Sequence, residues 1–144
     1  MSNKIQTLSG YFHEYQKSAI KTEEFWGRIA ESFHWRKMWD KVKSGDFNAL
    51  NIKWFEGGKM NITENILDRH LFTKGKDTAI LWEPNDPNEA HRVITYKDLY
   101  EMVCQMSNAM QAQGVEKGDR VIIYMPMVPE AAVAMLACAR IGAV

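Results

Sequence analysis

The last quarter of the chain alternates between an apolar run, a helical pattern and the start of a second apolar run. Residues 120–125 (RVIIYM) are nearly all apolar and β-branched in the middle, which is typical of a strand buried on both faces of a parallel sheet. Pro129 suits the first turn of a helix, and residues 131–139 are small and apolar almost all the way round. Gly142 is placed to cap that helix. We therefore predict a βαβ unit whose second strand continues beyond Val144.

A hairpin and a helix are predicted just upstream. Residues 77–83 and 91–94 have the composition of two short strands, and residues 84–88 between them are rich in turn formers. Thr95 can cap the following helix, with Asp98 at its third position. Apolar residues repeat at helical spacing on one face, at Leu99, Val103, Met106 and Met110.

The first zone, residues 7–42, is predicted to be helical and aromatic. Thr22 can cap a helix whose apolar face carries Phe25, Trp26, Ile29, Ala30 and Phe33. The same spacing predicts a second short helix carrying Trp35, Met38, Trp39 and Val42. Aromatic side chains at this spacing more often dock a helix on its own protein than on a partner, so we interpret this zone as a set of packed helices.

The middle zone, residues 44–71, begins as a loop and reaches a helix capped by Asn61, with Glu64 three residues on. The glycine pair at 57–58 lacks both the preceding buried strand and the following Lys-Ser or Lys-Thr of a phosphate loop, so it predicts a tight turn. Residues 68–70 (DRH) combine an acid, a cation and an imidazole. Adjacent helical residues point in different directions, so we expect structural hydrogen bonds or ion pairs from them and not a catalytic group.

Composition excludes several classes of function. The chain has 144 residues with 18 basic and 18 acidic side chains, so no electrostatic footprint for nucleic acid or an anionic membrane is present. No apolar stretch approaches the roughly 20 residues of a membrane span. Residues 1–6 lack the apolar segment of a secretory signal, which predicts a cytoplasmic protein.

The search for chemistry in the sequence gives no site. Cys104 and Cys138 fit reduced thiols better than a disulfide. Metal-ligand spacing is absent from the four histidines, which are His13, His34, His70 and His91. A nucleophile elbow, a dinucleotide fingerprint and a phosphate loop are also absent.

Residues 94–99 (ITYKDL) resemble the threonine-tyrosine-x-acid-leucine signature that starts the large domain of adenylate-forming enzymes. Together with further segments, they resemble one family closely, the AMP-forming acetyl-coenzyme A synthetases. The segments are 53–61 (KWFEGGKMN), 65–71 (NILDRHL), 117–121 (KGDRV), 124–130 (YMPMVPE) and 134–144 (AMLACARIGAV). The resemblance covers essentially the whole chain. One departure is Ile66, where family members often have cysteine, and it is an apolar replacement on a helix.

This resemblance implies an α/β protein with an aromatic-rich helical N-terminal extension at 1–71 and the truncated start of an AMP-binding large domain at 72–144. It implies an acetate–CoA ligase that uses ATP, CoA and Mg²⁺ in acetyl-CoA biosynthesis, with acetate as the acyl substrate. The family's phosphate loop, acetate pocket, CoA contacts and adenylation lysine lie beyond the position of Val144. We therefore assign no catalytic, cofactor-binding or metal-binding residue here, and expect the rest of the same polypeptide to complete the fold.

Three alternatives remain open from the sequence. The chain could belong to a sister ligase, such as a propionyl-CoA or acetoacetyl-CoA synthetase. It could be an interaction or regulatory module complete in itself, or a helix-rich adaptor that binds a partner through Trp26 and Trp39. The ligase interpretation predicts that the chain alone is aggregation-prone or molten and does not adenylate acetate, because the strand that begins at Val144 would be unpaired.

Overall fold

The computed structural model describes residues 5–144, which divide into two compact units. One unit runs up to Met60 and the other is Asn61–Val144. We predicted a domain boundary after residue 71, which is eleven residues beyond the division at Met60 and inside the second unit. As a domain boundary it stays a prediction.

The first unit contains two helices and a hairpin, namely α1 (Leu8–Ile20), α2 (Thr22–Ala30), β1 (Lys41–Ser44) and β2 (Lys53–Glu56). Thr7 caps α1, because its hydroxyl accepts a hydrogen bond from the Gly10 N–H at 3.0 Å. The two strands pair antiparallel, with Lys43 opposite Trp54. The sequence pattern did not predict this hairpin.

The α1 helix presents its polar side to α2. Glu14 accepts hydrogen bonds from Arg28 at 2.7 Å and from Lys17 at 3.2 Å, and the Arg28 guanidinium lies over the Phe25 ring. The apolar side of α1 is exposed, at Leu8, Tyr11, Phe12, Tyr15 and Ile20.

Two local predictions for the first unit are wrong. Thr22 does not cap α2, because its hydroxyl donates to the Ala19 carbonyl at 3.1 Å and the cap position is Lys21. The second short helix over residues 35–42 is not formed either. There the backbone of Lys37 pairs with that of Lys59 as an isolated antiparallel bridge.

The tryptophans behind that second prediction pack as a cluster and not as a helix face. The Trp35 and Trp39 rings lie 4.9 Å apart, and each contacts the Phe55 ring, at 5.4 and 5.2 Å. Trp35 also donates its Nε1–H to the Ala30 carbonyl at 2.9 Å. A spacing of four residues therefore brings two aromatic rings together here without a helical backbone.

The second unit begins with α3 and a 3₁₀ turn and continues with a hairpin and two long helices. Its elements are α3 (Ile62–Ile66), the 3₁₀ turn (Asp68–His70), α4 (Leu71–Lys74), β3 (Thr78–Trp82), β4 (Arg92–Thr95), α5 (Tyr96–Ala112) and α6 (Pro129–Ile141). The predicted hairpin is confirmed, since β3 pairs antiparallel with β4. The predicted caps are confirmed as well. Thr95 and Asp98 form a capping box, Pro129 starts α6, and Gly142 ends α6 with φ +81°.

The core of the second unit lies where α5 and α6 pack beside the hairpin. Its buried members are Leu67, Ile94, Leu99, Val103 and Val133. Small residues let the two helices approach, and the buried Ser107 hydroxyl donates to the Ala137 carbonyl at 3.4 Å.

Residues 120–125 form neither a strand nor a helix, and the prediction that both faces of this segment are buried is wrong for the described residues 5–144. Ile122 is 93% exposed and Tyr124 is 99% exposed, while Val121 and Ile123 are half-buried. Within that same range, residues 122–125 form no backbone–backbone hydrogen bond. One face of this segment and most of its edge thus have no covering element.

The beginning of a parallel pairing is nevertheless present at residue 120. The Val144 N–H donates to the Asp119 carbonyl at 2.7 Å, and the Val121 N–H donates to the Val144 carbonyl at 2.8 Å. These two hydrogen bonds lie on either side of residue 120, and both are made by Val144. This is the hydrogen-bond pattern of one pair in a parallel ladder. The chain after α6 therefore starts along residues 119–121 in the direction that the predicted βαβ unit requires.

Candidate functional site

A polar cluster of the second unit lies where α6 ends. The Arg140 guanidinium holds the Asp68 carboxylate through two hydrogen bonds, Nη1 to Oδ2 at 2.9 Å and Nη2 to Oδ1 at 3.0 Å. These side chains are 22% and 31% exposed, so the pair is shielded from water on most sides. The Tyr100 ring covers the guanidinium, with the Arg140 Cζ 5.1 Å from the ring centroid.

Asn61 links the start of α3 to the end of α6. Its side-chain oxygen accepts from the Thr63 N–H at 2.9 Å, as the predicted N-cap should. Its amide nitrogen donates to the carbonyls of Ala139 and Arg140, at 3.2 and 2.9 Å. One side chain therefore satisfies backbone groups at two helix ends.

The electrostatics of this cluster favour a fixed ion pair. The hydrogen bond to Asp68 raises the pKa of Arg140, and this outweighs the opposing effect of burial. Its bidentate geometry suits positioning of the end of α6.

The side chains of residues 68–70 diverge, as the sequence predicts. Asp68 binds Arg140, Arg69 donates to the Asn65 side chain at 3.2 Å, and His70 meets the Tyr96 ring edge-on at 5.9 Å. These three side chains make structural contacts in three directions. These contacts include the hydrogen bonds and the ion pair that the sequence predicts, and the absence of a catalytic role stays a prediction.

A second polar cluster ties the hairpin to the start of α6. Arg92 on β4 donates to Glu130 at 2.8 Å, and its guanidinium lies 5.8 Å from the Trp82 ring. Trp82 donates its Nε1–H to the Met127 carbonyl at 2.8 Å. The hydrogen bond from Arg92 lowers the pKa of Glu130, whose position in the first turn of α6 adds to that effect. Both clusters hold α6, one at each end.

The described part of the chain has neither a metal-binding cluster nor a disulfide. Among residues 5–144, no three His, Cys, Asp or Glu side chains lie close enough to hold a metal ion. Cys104 and Cys138 are free thiols. Searching the same residues, we find no helix long and apolar enough to cross a membrane.

Two family models together match nearly the whole chain. The model of the AMP-binding enzymes matches residues 67–144, and the model of the acetyl-coenzyme A synthetase N-terminus matches residues 11–66. The chain belongs to the AMP-binding enzyme family. The resemblance seen at residues 94–99 is thereby confirmed.

Curated relatives with one shared name match almost the whole of this chain. An acetyl-coenzyme A synthetase of Alkalilimnicola ehrlichii is 56% identical over 139 residues, which are 96% of this chain and 21% of that protein. One of Novosphingobium aromaticivorans is 51% identical over 144 residues, which are 99% of this chain and 22% of that protein. The chain thus spans about a fifth of the length of the curated relatives that it matches.

A solved structure confirms the fold class. Acetoacetyl-CoA synthetase from Streptomyces lividans matches with a TM-score of 0.80 and 28% identity, over 90% of this chain and 20% of that one. The predicted α/β start of an adenylate-forming enzyme is therefore confirmed. The prediction that the chain carries no catalytic, cofactor-binding or metal-binding residue stays a prediction.

Sequence reasoning missed the Arg140–Asp68 pair. A signal for it was present, because Arg140 is the only charged residue between Glu130 and the end of α6. A charge at the end of an otherwise apolar helix needs a partner when the helix is packed on several sides. The partner itself, 72 residues upstream, could not be named from spacing.

Proposed function

We propose that this chain is the N-terminal part of an AMP-forming acetate–CoA ligase. The supporting observation is the 51 to 56% identity to acetyl-coenzyme A synthetases across 96 to 99% of the chain. The match of residues 11–66 to the acetyl-coenzyme A synthetase N-terminus adds weight to acetate over other acyl groups.

The proposed reaction has two steps. An acetate oxygen attacks the α-phosphorus of ATP, the bond to the β-phosphate breaks, and acetyl-adenylate and pyrophosphate form. The CoA thiol then loses its proton, its sulfur attacks the acetyl carbon, and AMP leaves, giving acetyl-CoA. Mg²⁺ would neutralise phosphate charge in the first step.

The residues of this chain have a structural part in this proposal. We infer that the groups that bind ATP, CoA, Mg²⁺ and acetate lie outside the chain, in the further four-fifths that its relatives possess. This chain would supply the first parallel strand at residues 120–125 and the helices on one face of it. The exposed Ile122 and Tyr124 would be covered by that further polypeptide. The cytoplasmic location also remains a proposal.

A chimera tests the proposal directly. The matching segment of the Alkalilimnicola ehrlichii relative is replaced by this chain, and acetate-dependent pyrophosphate release and CoA-dependent AMP formation are measured. We expect both activities in the chimera and neither in this chain alone. The relative with its own segment serves as the positive control, and the relative without any segment as the negative one.

A chimera that is monodisperse and folded by circular dichroism but inactive would contradict the proposal. The same assay with propionate and acetoacetate addresses the sister ligases, for which the solved acetoacetyl-CoA synthetase is the motivating observation. We expect acyl selectivity to follow the scaffold and not this chain. A chimera whose preference moves from acetate to acetoacetate would place selectivity inside the chain and refute that expectation.

A further inference from the structure

The end of α6 is held from two sides at once. On one side lies the backbone of residues 117–121, and on the other lie three side chains, Asn61, Asp68 and Arg140, which we call the α6 clamp. The clamp joins residues that stand more than 70 positions apart in the sequence.

The backbone side defines where the chain goes after the helix. Gly142 adopts the left-handed conformation, and the Ala143 N–H returns to the Cys138 carbonyl at 2.9 Å, the long bond of a Schellman motif. The Gly118 N–H then donates to the Gly142 carbonyl at 2.9 Å, and the parallel bonds around residue 120 follow.

The packing face of α6 is made of small residues toward its C-terminal end. Val133 enters the core near the start of the helix. The buried residues beyond it are Ala134, Ala137 and Cys138, which present few side chains that interlock. A parallel pair, moreover, has no tight turn to set its register, because the crossover helix makes the connection. A shift by one residue would turn every side chain of the following strand to the opposite face.

The clamp restricts the rotation and depth of α6 more than contacts between small residues do. A bidentate arginine–carboxylate pair is satisfied in one relative orientation, and the Asn61 amide nitrogen donates to the carbonyls of Ala139 and Arg140. Both contacts act on the last turn of α6, four to five residues before Val144.

We propose that Asn61, Asp68 and Arg140 are positioning residues that set the register of the parallel pairing between residues 119–121 and Val144. In the ligase proposed above, they would fix how the next strand enters the sheet, and this consequence rests on the proposed function. The segment Asn61–His70 would then set a strand register in the large domain, although its first six residues match the family model of the N-terminus.

Hydrogen exchange of single amides tests the clamp. The variants are Arg140→Lys, which keeps the charge but loses the bidentate geometry, and Asp68→Asn, which keeps the shape but loses the charge. We expect the Val121 and Val144 amides to exchange about tenfold faster in each, equivalent to about 1.4 kcal/mol. The amide of the buried Val103 on α5 should keep its rate within about twofold.

The control is Lys97→Gln, which removes an exposed ion pair to Glu101 at 3.8 Å and should leave the amides of Val121 and Val144 unchanged. An equal acceleration at Val103 would show that the pair only stabilises the unit as a whole and would overturn the proposal. Unchanged rates at Val121 and Val144 would overturn it as well.

The same amides are measured in the chimera, so the test does not depend on the chain folding alone. Exchange is recorded without substrates. A folded but inactive chimera would contradict the proposed function while its exchange rates still decide the role of the clamp.

Discussion

The exposed side chains of Ile122 and Tyr124 should drive self-association of the isolated chain. Burying one such side chain fully contributes about 1.5–3 kcal/mol. Because these two are 93% and 99% exposed, a contact that buries both would contribute about 3–6 kcal/mol, or two to four powers of ten in the association constant. The unpaired backbone of residues 122–125 adds a strand edge that can pair with another copy.

The perturbation is the double variant Ile122→Lys with Tyr124→Lys. It removes the apolar face, adds two positive charges and leaves the half-buried Val121 and Ile123 in place. In sedimentation velocity at micromolar concentration, we expect the unmodified chain to form large species and the double variant to shift toward the monomer. Binding of a hydrophobic dye should fall in parallel.

Phe72→Lys is the control, because Phe72 is also 99% exposed but lies on α4 and not in the segment at 120–125. If Phe72→Lys restores the monomer equally well, apolar exposure in general and not this face causes the association. If the unmodified chain is a soluble monomer that unfolds cooperatively, the reasoning is refuted and the interaction-module interpretation gains support.

Three further predictions concern the stability of the second unit, and each is checked by thermal unfolding of the chimera. Leu67→Ala should destabilise by about 2–5 kcal/mol because Leu67 is fully buried, whereas Leu81→Ala, 61% exposed, should cost far less; equal shifts would contradict the assigned core. Gly142→Ala should cost more than Gly114→Ala: both have positive φ, but a Cβ at 142 would lie 3.0 Å from a neighbouring side-chain carbon and one at 114 would contact nothing. Capping hydrogen bonds lower the pKa of Asp98 below its ordinary 3.8, so the stability that its charge contributes is present above pH 3.8 and lost as the pH falls through the lowered pKa. Asp98→Asn should therefore be less stable than the parent above pH 3.8 and converge with it at lower pH. A stability difference that does not depend on pH would show that the charge has no part.

Local signals predicted the second unit well because its elements carry their own boundaries. Thr95 with Asp98, Pro129 and Gly142 each mark a helix end by a backbone requirement that few other residues meet. The first unit lacks such marks between α2 and β2. There the aromatic spacing of Trp35 and Trp39 was compatible with a helix, and the contacts with Phe55 that decide against it are tertiary.

The segment at 120–125 shows a different limit. Its apolar run predicts a buried strand of a parallel sheet, but a strand exists only with its neighbours. Within the described residues no strand forms there, and the pairing reaches one position, at residue 120. The burial predicted from that run describes a complete sheet. The contrast between the apolar sequence and the exposure of Ile122 and Tyr124 is therefore informative, because it locates the surface that further polypeptide would cover.

The two family models meet at residue 66/67, yet the physical division lies at residue 60/61. Asn61 and Asp68 explain the difference, since both bind the last turn of α6 and so make α3 and the 3₁₀ turn part of the second unit. A truncation that starts at residue 67 would keep the matched AMP-binding segment but remove Asn61, leaving the carbonyls of Ala139 and Arg140 without their donor. We therefore expect a chimera that receives residues 61–144 of this chain to be more stable than one that receives 67–144, each joined to the scaffold's own upstream segment. Equal melting temperatures would contradict this expectation, because they would mean that residues 61–66 of this chain stabilise the second unit no more than the scaffold's own residues at those positions.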